Sequence, residues 1–173
     1  RRNGRYEGKM KAIVYTTNAG SSERYAKMLS DRSEIPAMTL AEAKKRLAKG
    51  DEVICIGWVM ANSVKGYRDA AKRFTVRAVC AVGMCPAGTM DAAIRQSNGI
   101  PESIPLFTLE GNLRPGELHG LYKILIGMML HGLEGNRKRS ADEEKLLGLM
   151  TGGEDRVRSG MLDGVIEWFE NNK

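Results

Sequence analysis

The sequence predicts an α/β protein, a three-layer α/β/α sandwich around a five-stranded parallel sheet. Continuous apolar runs at 12–15, 53–57 and 76–82 are typical of strands buried on both faces of a parallel sheet. Segments with helical patterns separate these runs. Turn residues such as Asn98-Gly99 mark the ends of the helical segments. This alternation implies right-handed crossovers that place helices on both faces of the sheet.

The remaining elements follow from the same patterns. Weaker apolar runs at 35–40 and 104–109 complete the five predicted strands, and Gly50 is expected to cap the second helix. Ser140 and Glu143 form a capping-box pattern at the start of a later helix. The predicted helices, in chain order, cover residues 21–30, 41–49, 65–74, 89–97, 117–133, 141–150 and about 155–170.

Length and composition indicate one domain. A chain of 173 residues with 42% hydrophobic and 28% charged residues is long enough for a sizeable core. We expect a flexible extension at 1–9 followed by a single domain at 10–173, and Met10 is one candidate for the natural start. A helical insertion is expected at about 113–150, and Thr151-Gly152-Gly153 predicts a break after it.

Charge and cysteine content exclude several classes. The formal net charge is +6, but residues 1–9 carry four basic residues and one acidic residue, so half of it lies in the extension. Aromatic residues are 6% and are not interleaved with basic ones, which argues against nucleic-acid binding. The 3 cysteines are too few for a disulfide framework, and Cys55 and Cys80 are expected in the core. No secretory signal precedes the first strand, so the expected location is the cytoplasm.

The loop after the first strand has the layout of a phosphate cradle. Hydroxyl and amide side chains, a glycine and then a helix follow Tyr15, and a helix N-terminus attracts anions. The loop contains no lysine and no GxxxxGK[ST] pattern, which argues against ATP or GTP chemistry. A plain strand-to-helix turn with a serine cap is the alternative that this loop leaves open. Its candidate binding residues are Thr17, Asn18, Ala19, Gly20, Ser21 and Ser22.

Two further loops, at 58–66 and 83–88, are expected at the same edge of the sheet, where ligands of such folds bind. Neither loop contains His, Asp or Glu, so we predict no side-chain acid or base. We also predict no metal, because Cys80 and Cys85 have no matching Cys/His pair and both histidines lie far along the chain.

These loops resemble those of the flavodoxin family. The segment Thr17-Asn18-Ala19-Gly20-Ser21-Ser22-Glu23 matches the spacing of the family's phosphate loop, although Asn18 and Ala19 stand where a hydroxyl is often found. The segments LEGNL at 109–113, LYKILIGMML and TGGEDR look like the branch that includes menaquinone-dependent protoporphyrinogen oxidase. The resemblance implies a flavodoxin-like sandwich with the strand order 2-1-3-4-5, which is the order flavodoxin itself exemplifies.

The resemblance also implies a non-covalently bound FMN. The second loop would lie against one face of the flavin ring, and the third loop would face the other side. Trp58 would either stack on the ring or pack under the loop, and the sequence leaves both open. The ring-facing candidates implied by the resemblance are Trp58, Val59, Met60, Ala61, Asn62, Gly83, Met84 and Cys85.

Three functions are consistent with this interpretation. The first is electron transfer by bound FMN, with a redox partner protein or a quinone as partner. The second is an FMN-dependent oxidoreductase acting on a quinone or porphyrinogen-type substrate, since the third loop lacks an aromatic residue and leaves room beside the ring. The third is a cofactor-free flavodoxin-like module for protein interaction.

The sequence does not determine what surrounds the long aliphatic helix predicted at 117–133. It is too short and too interrupted by Lys123 and glycines for a membrane span. One interpretation packs it on the core or at a homodimer interface. The other is peripheral membrane contact through 116–139 at the inner membrane face, with Arg137–Arg139 meeting lipid headgroups.

Overall fold

The computed structural model describes residues 9–112, 114–152 and 154–172. A single parallel sheet lies at its centre with helices on both faces, which confirms the predicted α/β/α sandwich. The expected extension at 1–9 lies outside the described residues except for Lys9, and so does Gly153. The strands are β1 (Ala12–Tyr15), β2 (Ala37–Thr39), β3 (Glu52–Met60), β4 (Ser63–Val64), β5 (Thr75–Gly83) and β6 (Leu106–Glu110).

The sheet runs β2-β1-β3-β5-β6, and all of these neighbours are parallel. Counted without β4, this is the expected order 2-1-3-4-5. The two-residue strand β4 is the difference, because it pairs antiparallel with the end of β3. The order reverses beside β1, so the helices that follow β1 and β3 lie on opposite faces of the sheet and leave a crevice suited to a ligand at its carboxyl edge.

The strands are apolar on both faces because both faces are covered. One face packs Ile13, Ile54 and Cys80 against the first and last helices, and the other packs Val14, Cys55 and Val79 against the middle helices. Cys55 and Cys80 are buried, as expected. Burial in this apolar interior disfavours the thiolate and raises the pKa of Cys55 to about 12, so neither core cysteine is a nucleophile.

The helices agree with the sequence pattern in order and number but differ at their ends. Helix α2 ends at Arg46 and its C-cap is Leu47, so the prediction that Gly50 caps it is wrong. Gly50 instead adopts a left-handed φ of 90° in the turn before β3. The helices are α1 (Ser21–Ser33), α2 (Leu40–Arg46), α3 (Tyr67–Arg73), α4 (Asp91–Asn98), α5 (Gly120–Gly135), α6 (Ala141–Thr151) and α7 (Asp163–Asn171).

The C-terminal third departs most from the predicted boundaries. A 3-10 turn at Pro115–Glu117 precedes α5, and a second one at Ser159–Leu162 precedes α7, which is therefore shorter than expected. The capping box at the start of α6 is present, since Ser140 and Glu143 bond reciprocally. Within the described ranges, no helix combines the length and apolar character needed to cross a bilayer.

Candidate functional site

A cavity of about 420 Å³ lies at the carboxyl edge of the sheet. Its volume falls within the range of ligand-binding pockets, about 300–1,000 Å³. The loops after β1, β3, β5 and β6 surround it because parallel strands end at the same edge. Eleven predicted residues line it, namely Thr17, Asn18, Ala19, Ser21, Ser22, Trp58, Val59, Met60, Ala61, Gly83 and Met84.

Three predicted residues do not line this cavity. Gly20 lies within the first loop, where its N–H donates to Thr17 Oγ1 at 3.0 Å and its φ of 89° turns the chain into α1. Asn62 and Cys85 line a second cavity of about 210 Å³. Val59 and Met84 line both cavities, so the two are adjacent.

Unsatisfied donors collect at the start of α1. Its first helical hydrogen bond runs from Arg24 N–H to the Gly20 carbonyl, so the N–H groups of the three preceding residues have no helical acceptor. No side chain among the described residues caps this helix. Ser22 is 1% exposed, and its Oγ has no hydrogen-bond partner in the described part of the chain. A buried hydroxyl without a partner is costly, which makes this corner of the cavity suited to an acceptor such as an anion.

Asn112, which sequence reasoning missed, anchors the first loop to the end of β6. Its backbone N–H donates to Ser21 Oγ at 3.0 Å, and its side-chain Oδ1 accepts from Arg156 N–H at 2.7 Å. Its Nδ2 donates to Asp155, which also forms a two-bond pair with Arg24. The Arg24 guanidinium, followed by Asn112, holds the pKa of Asp155 well below its usual range.

The predicted second loop is in fact a β-hairpin. Strand β3 continues to Met60 and pairs Val59 with Val64 across a two-residue turn. Ala61 and Asn62 have left-handed φ values of 48° and 62°, as a tight hairpin turn requires. The hairpin therefore presents Trp58–Met60 to the cavity on a regular strand and Ala61 on its tight turn, rather than on an open loop.

A buried asparagine on α4 holds this hairpin. Asn98 Oδ1 accepts from Val64 N–H at 2.9 Å, and Asn98 Nδ2 donates to the Asn62 carbonyl at 2.7 Å. The same Nδ2 also donates to the Ile94 carbonyl at 2.7 Å. The sequence pattern identified Asn98 only as a helix-ending residue, because its partners in the hairpin are more than 30 positions away along the chain.

Helix α5 covers the cavity. The cavity is lined by Ile126 and Met129 of this helix and by Leu118, which precedes it. Leu118 and Ile126 pack in one cluster with Met150 of α6. That cluster includes Ala19, Met60 and Met84, one residue from each of the three predicted loops. His119 N–H donates to Asn18 Oδ1 at 3.1 Å, so the first loop is tied directly to the segment that enters α5. Val82 and Gly111 also line the cavity, although neither was predicted to do so.

The aromatic residue Trp58 has a definite partner in the cover. Its ring meets Tyr122 of α5 edge to face, with centroids 4.8 Å apart at an interplanar angle of 88°. Lys65 Nζ lies 5.9 Å from the Trp58 centroid and 5.5 Å from the Tyr122 centroid, within reach of a cation–π interaction. Trp58 thus lines the cavity and also packs against α5, and its stacking on a flavin ring stays a prediction.

A buried ion pair supports the third loop from below. Arg156 and Glu110 lie 3.1 Å apart, and both side chains are largely buried. Arg156 also donates to the Met84 carbonyl at 2.7 Å, and Tyr25 donates to the Glu110 carbonyl at 2.5 Å. These bonds fix the backbone at the ends of β5 and β6. The third loop is therefore held in place, and the described residues that line the cavity include no charged side chain.

Comparison with family models, curated proteins and solved structures gave no significant match. The flavodoxin resemblance therefore stays a hypothesis that rests on the loops and the fold. Among the residues that the structure describes, no group of three or more His, Cys, Asp or Glu side chains is placed to hold a metal ion. The chemistry of the cavity follows from its lining residues.

Proposed function

We propose that this protein binds FMN non-covalently in the cavity above β1, β3 and β5 and transfers electrons through it. One observation carries the proposal: the partnerless hydroxyl of buried Ser22 lines one part of a cavity whose other walls are mostly apolar. FMN has a polarity that matches this cavity, because its ring is flat and largely apolar and its phosphate lies at the end of a flexible chain. The fold supplies the same edge of the sheet at which ligands of doubly wound proteins bind.

The phosphate would lie at the start of α1. The hydroxyl of Ser22 and the N–H groups of Ser21, Ser22 and Glu23 are donors without helical acceptors, and the helix dipole favours negative charge there. Thr17 Oγ1 already accepts from Gly20 N–H, which leaves its own O–H free to donate. Among the described residues, no lysine or arginine lines the cavity, so this cradle would act through dipoles and hydrogen bonds.

The ring would lie among the apolar residues of the cavity. Trp58 and Met60 come from the β3–β4 hairpin, Met84 comes from the third loop, and Ile126 and Met129 come from the cover helix. When bound, FMN supplies the one- or two-electron chemistry, and the protein contributes orientation and polarity. An apolar environment disfavours added negative charge on the ring and would lower its reduction potential.

A second candidate, an FMN-dependent oxidoreductase, is favoured by the adjacent cavity of about 210 Å³. It shares Val59 and Met84 with the first cavity and contains Cys85 and Thr108, so a small substrate there would lie beside the ring. A quinone or porphyrinogen-type compound is the substrate class implied by the resemblance. Saturable turnover of such a compound would favour the enzyme, whereas reduction by a reductase without turnover would favour the carrier.

The test compares FMN with riboflavin, which lacks the phosphate. We expect wild-type protein to quench FMN fluorescence on binding and to prefer FMN over riboflavin. Ser22→Ala should remove about 10- to 100-fold of that preference, since a hydrogen bond to a charged group contributes about 1.5–3 kcal/mol. Ser33→Ala is the matched control, because Ser33 lies on the same helix and donates to the Leu29 carbonyl. A colourless protein that ignores added FMN would refute the proposal and favour the cofactor-free interaction module.

A further inference from the structure

The outer side of α5 is an exposed apolar surface. Five large side chains on this helix are 40–68% exposed, and their spacing of i, i+3, i+4, i+7 and i+8 places them on one side. We name this surface the α5 face, and it consists of Leu121, Ile124, Leu125, Met128 and Met129. Ile126, on the opposite side, is buried against Leu118 and Met150. The fold therefore uses the inner side of α5 and leaves the outer one in contact with water.

The size of the α5 face indicates an interaction surface. Five side chains at these exposures leave an apolar patch on the order of 500 Å², which is at the upper end for a monomeric protein. Burying this patch on two subunits would remove roughly 1,000 Å², the lower bound for a specific interface before any polar rim is added. The area is therefore sufficient for association of two copies through this face.

We infer that the α5 face binds the α5 face of a second copy of this chain, with the two helices antiparallel and crossing at Met128. A two-fold axis at Met128 places Leu121 opposite Gly135 of the partner subunit and Ile124 opposite Gly132 of the partner subunit. Leu121 and Ile124 then each meet a residue that has no side chain. One surface thus carries both the projections and the depressions that a symmetric interface needs.

Nothing inside the subunit accounts for these glycines. A Cβ atom added to Gly132 or Gly135 would meet no atom within 4 Å, so neither is required by packing within the described residues. Glycine in a helix is less favourable than alanine. Their presence on the apolar side of α5 is explained if another helix approaches closely there.

Charge favours a protein partner over an anionic membrane. The α5 face carries no charged side chain, and the two charged residues of α5, Lys123 and Glu134, have opposite sign and lie away from it. Membrane-surface helices are instead flanked by several cations. The basic segment after α5 is partly neutralised, since Arg139 pairs with Glu144 at 2.6 Å.

The consequence concerns the cover of the cavity. Met129 belongs to the α5 face and also lines the cavity, and Ile126 lines it from the inner side. Association of two copies would therefore clamp both cover helices in place. This inference does not depend on which ligand the cavity binds.

Sedimentation equilibrium of the full chain tests it. We expect wild type to be a dimer, and Met128→Glu to raise the dimer dissociation constant about 100-fold because two carboxylates would meet at the axis. Lys123→Gln is the matched control, as it changes the charge of the same helix by the same one negative unit away from the face, and it should leave the dissociation constant unchanged. Circular dichroism checks that each variant is folded.

Gly132→Leu gives a readout that misfolding cannot mimic. It should weaken the dimer by filling the depression opposite Ile124, while the isolated subunit gains helix stability and melts at the same or a higher temperature. A wild type that stays monomeric at high concentration would overturn the inference. A monomeric wild type that floats with anionic phosphatidylserine vesicles would overturn it as well and assign the face to a membrane.

Discussion

Asn98 Nδ2 donates to the carbonyl oxygen of Asn62 at 2.7 Å and so joins the end of α4 to the turn of the β3–β4 hairpin. The two residues are 36 positions apart, and the bond is part of a three-bond set on one buried side chain. Because this hairpin carries Trp58 and Met60 into the cavity, the side chain of Asn98 positions one wall of the candidate site.

Asn98→Ala should therefore weaken both stability and binding. The change leaves the Val64 N–H and the Asn62 carbonyl without partners, and the free energy of unfolding should fall by about 2–3 kcal/mol. Urea unfolding measures the stability and FMN fluorescence measures the affinity. Gln96→Ala, an exposed change on the same helix, should alter neither. An Asn98→Ala protein with wild-type stability would show that the hairpin stands without this side chain.

Ser22→Ala should move stability and affinity in opposite directions. Without ligand, the variant removes a buried hydroxyl that has no partner, so its free energy of unfolding should rise by about 1–3 kcal/mol. With FMN, it should lose affinity because one phosphate donor is gone. Thermal melts with and without FMN report both effects. Loss of stability without ligand would mean that the hydroxyl has a partner in solution, such as a buried water molecule.

Tyr122→Ala should loosen the cover. Edge-to-face aromatic pairs contribute about 0.5–1.5 kcal/mol, so removal of the ring that meets Trp58 should speed FMN release up to about tenfold. Stopped-flow dilution of the complex measures the rate. Lys123→Ala changes the next residue of the same helix, which is exposed and lies outside the cavity lining, and should release FMN at the wild-type rate. Equal rates for all three proteins would place the cover outside the release pathway.

Gly111→Ala should distort the cavity at the end of β6. A Cβ atom there would lie 2.7 Å from Val82 Cγ1 and 3.3 Å from Ser21 Cβ, and relief of this crowding should cost about 1–3 kcal/mol of stability. Gly116→Ala is the control, since a Cβ atom at that position meets nothing within 4 Å. Chemical unfolding compares the two, and similar stabilities would contradict the packing argument.

Asp155 should make stability sensitive to acid. The pKa of Asp155 is lowered in the folded protein, first by Arg24, then by Asn112 and by the Val157 N–H. A lowered folded-state pKa means that the stabilisation is complete above the unfolded-state pKa and is lost as the pH falls towards the folded value. The stability difference between wild type and Asp155→Asn should thus be complete at pH 7 and shrink below about pH 4. A difference that is constant with pH would contradict this role.

The sequence by itself predicted the framework of this protein. The runs around Ile13, Ile54 and Val79 are apolar on both faces because helices cover both sides of the sheet, and that double burial is visible in the pattern. Once the strands are parallel, their carboxyl ends share one edge, so loops as far apart as Thr17 and Gly83 could be assigned to one site without any coordinates.

Tertiary structure alone decided what closes that site. The segment after Gly57 was predicted as a loop, and it became a hairpin because Val59 pairs with Val64 and Asn98 binds the turn, contacts that no local pattern encodes. Large apolar residues of helix α5 occur both on the side that covers the cavity and on the side that faces water, so its sequence does not separate the two. Packing of Ile126 against Leu118 and Met150 makes that choice, because burial of one apolar side of a helix depends on the neighbours the fold brings to it.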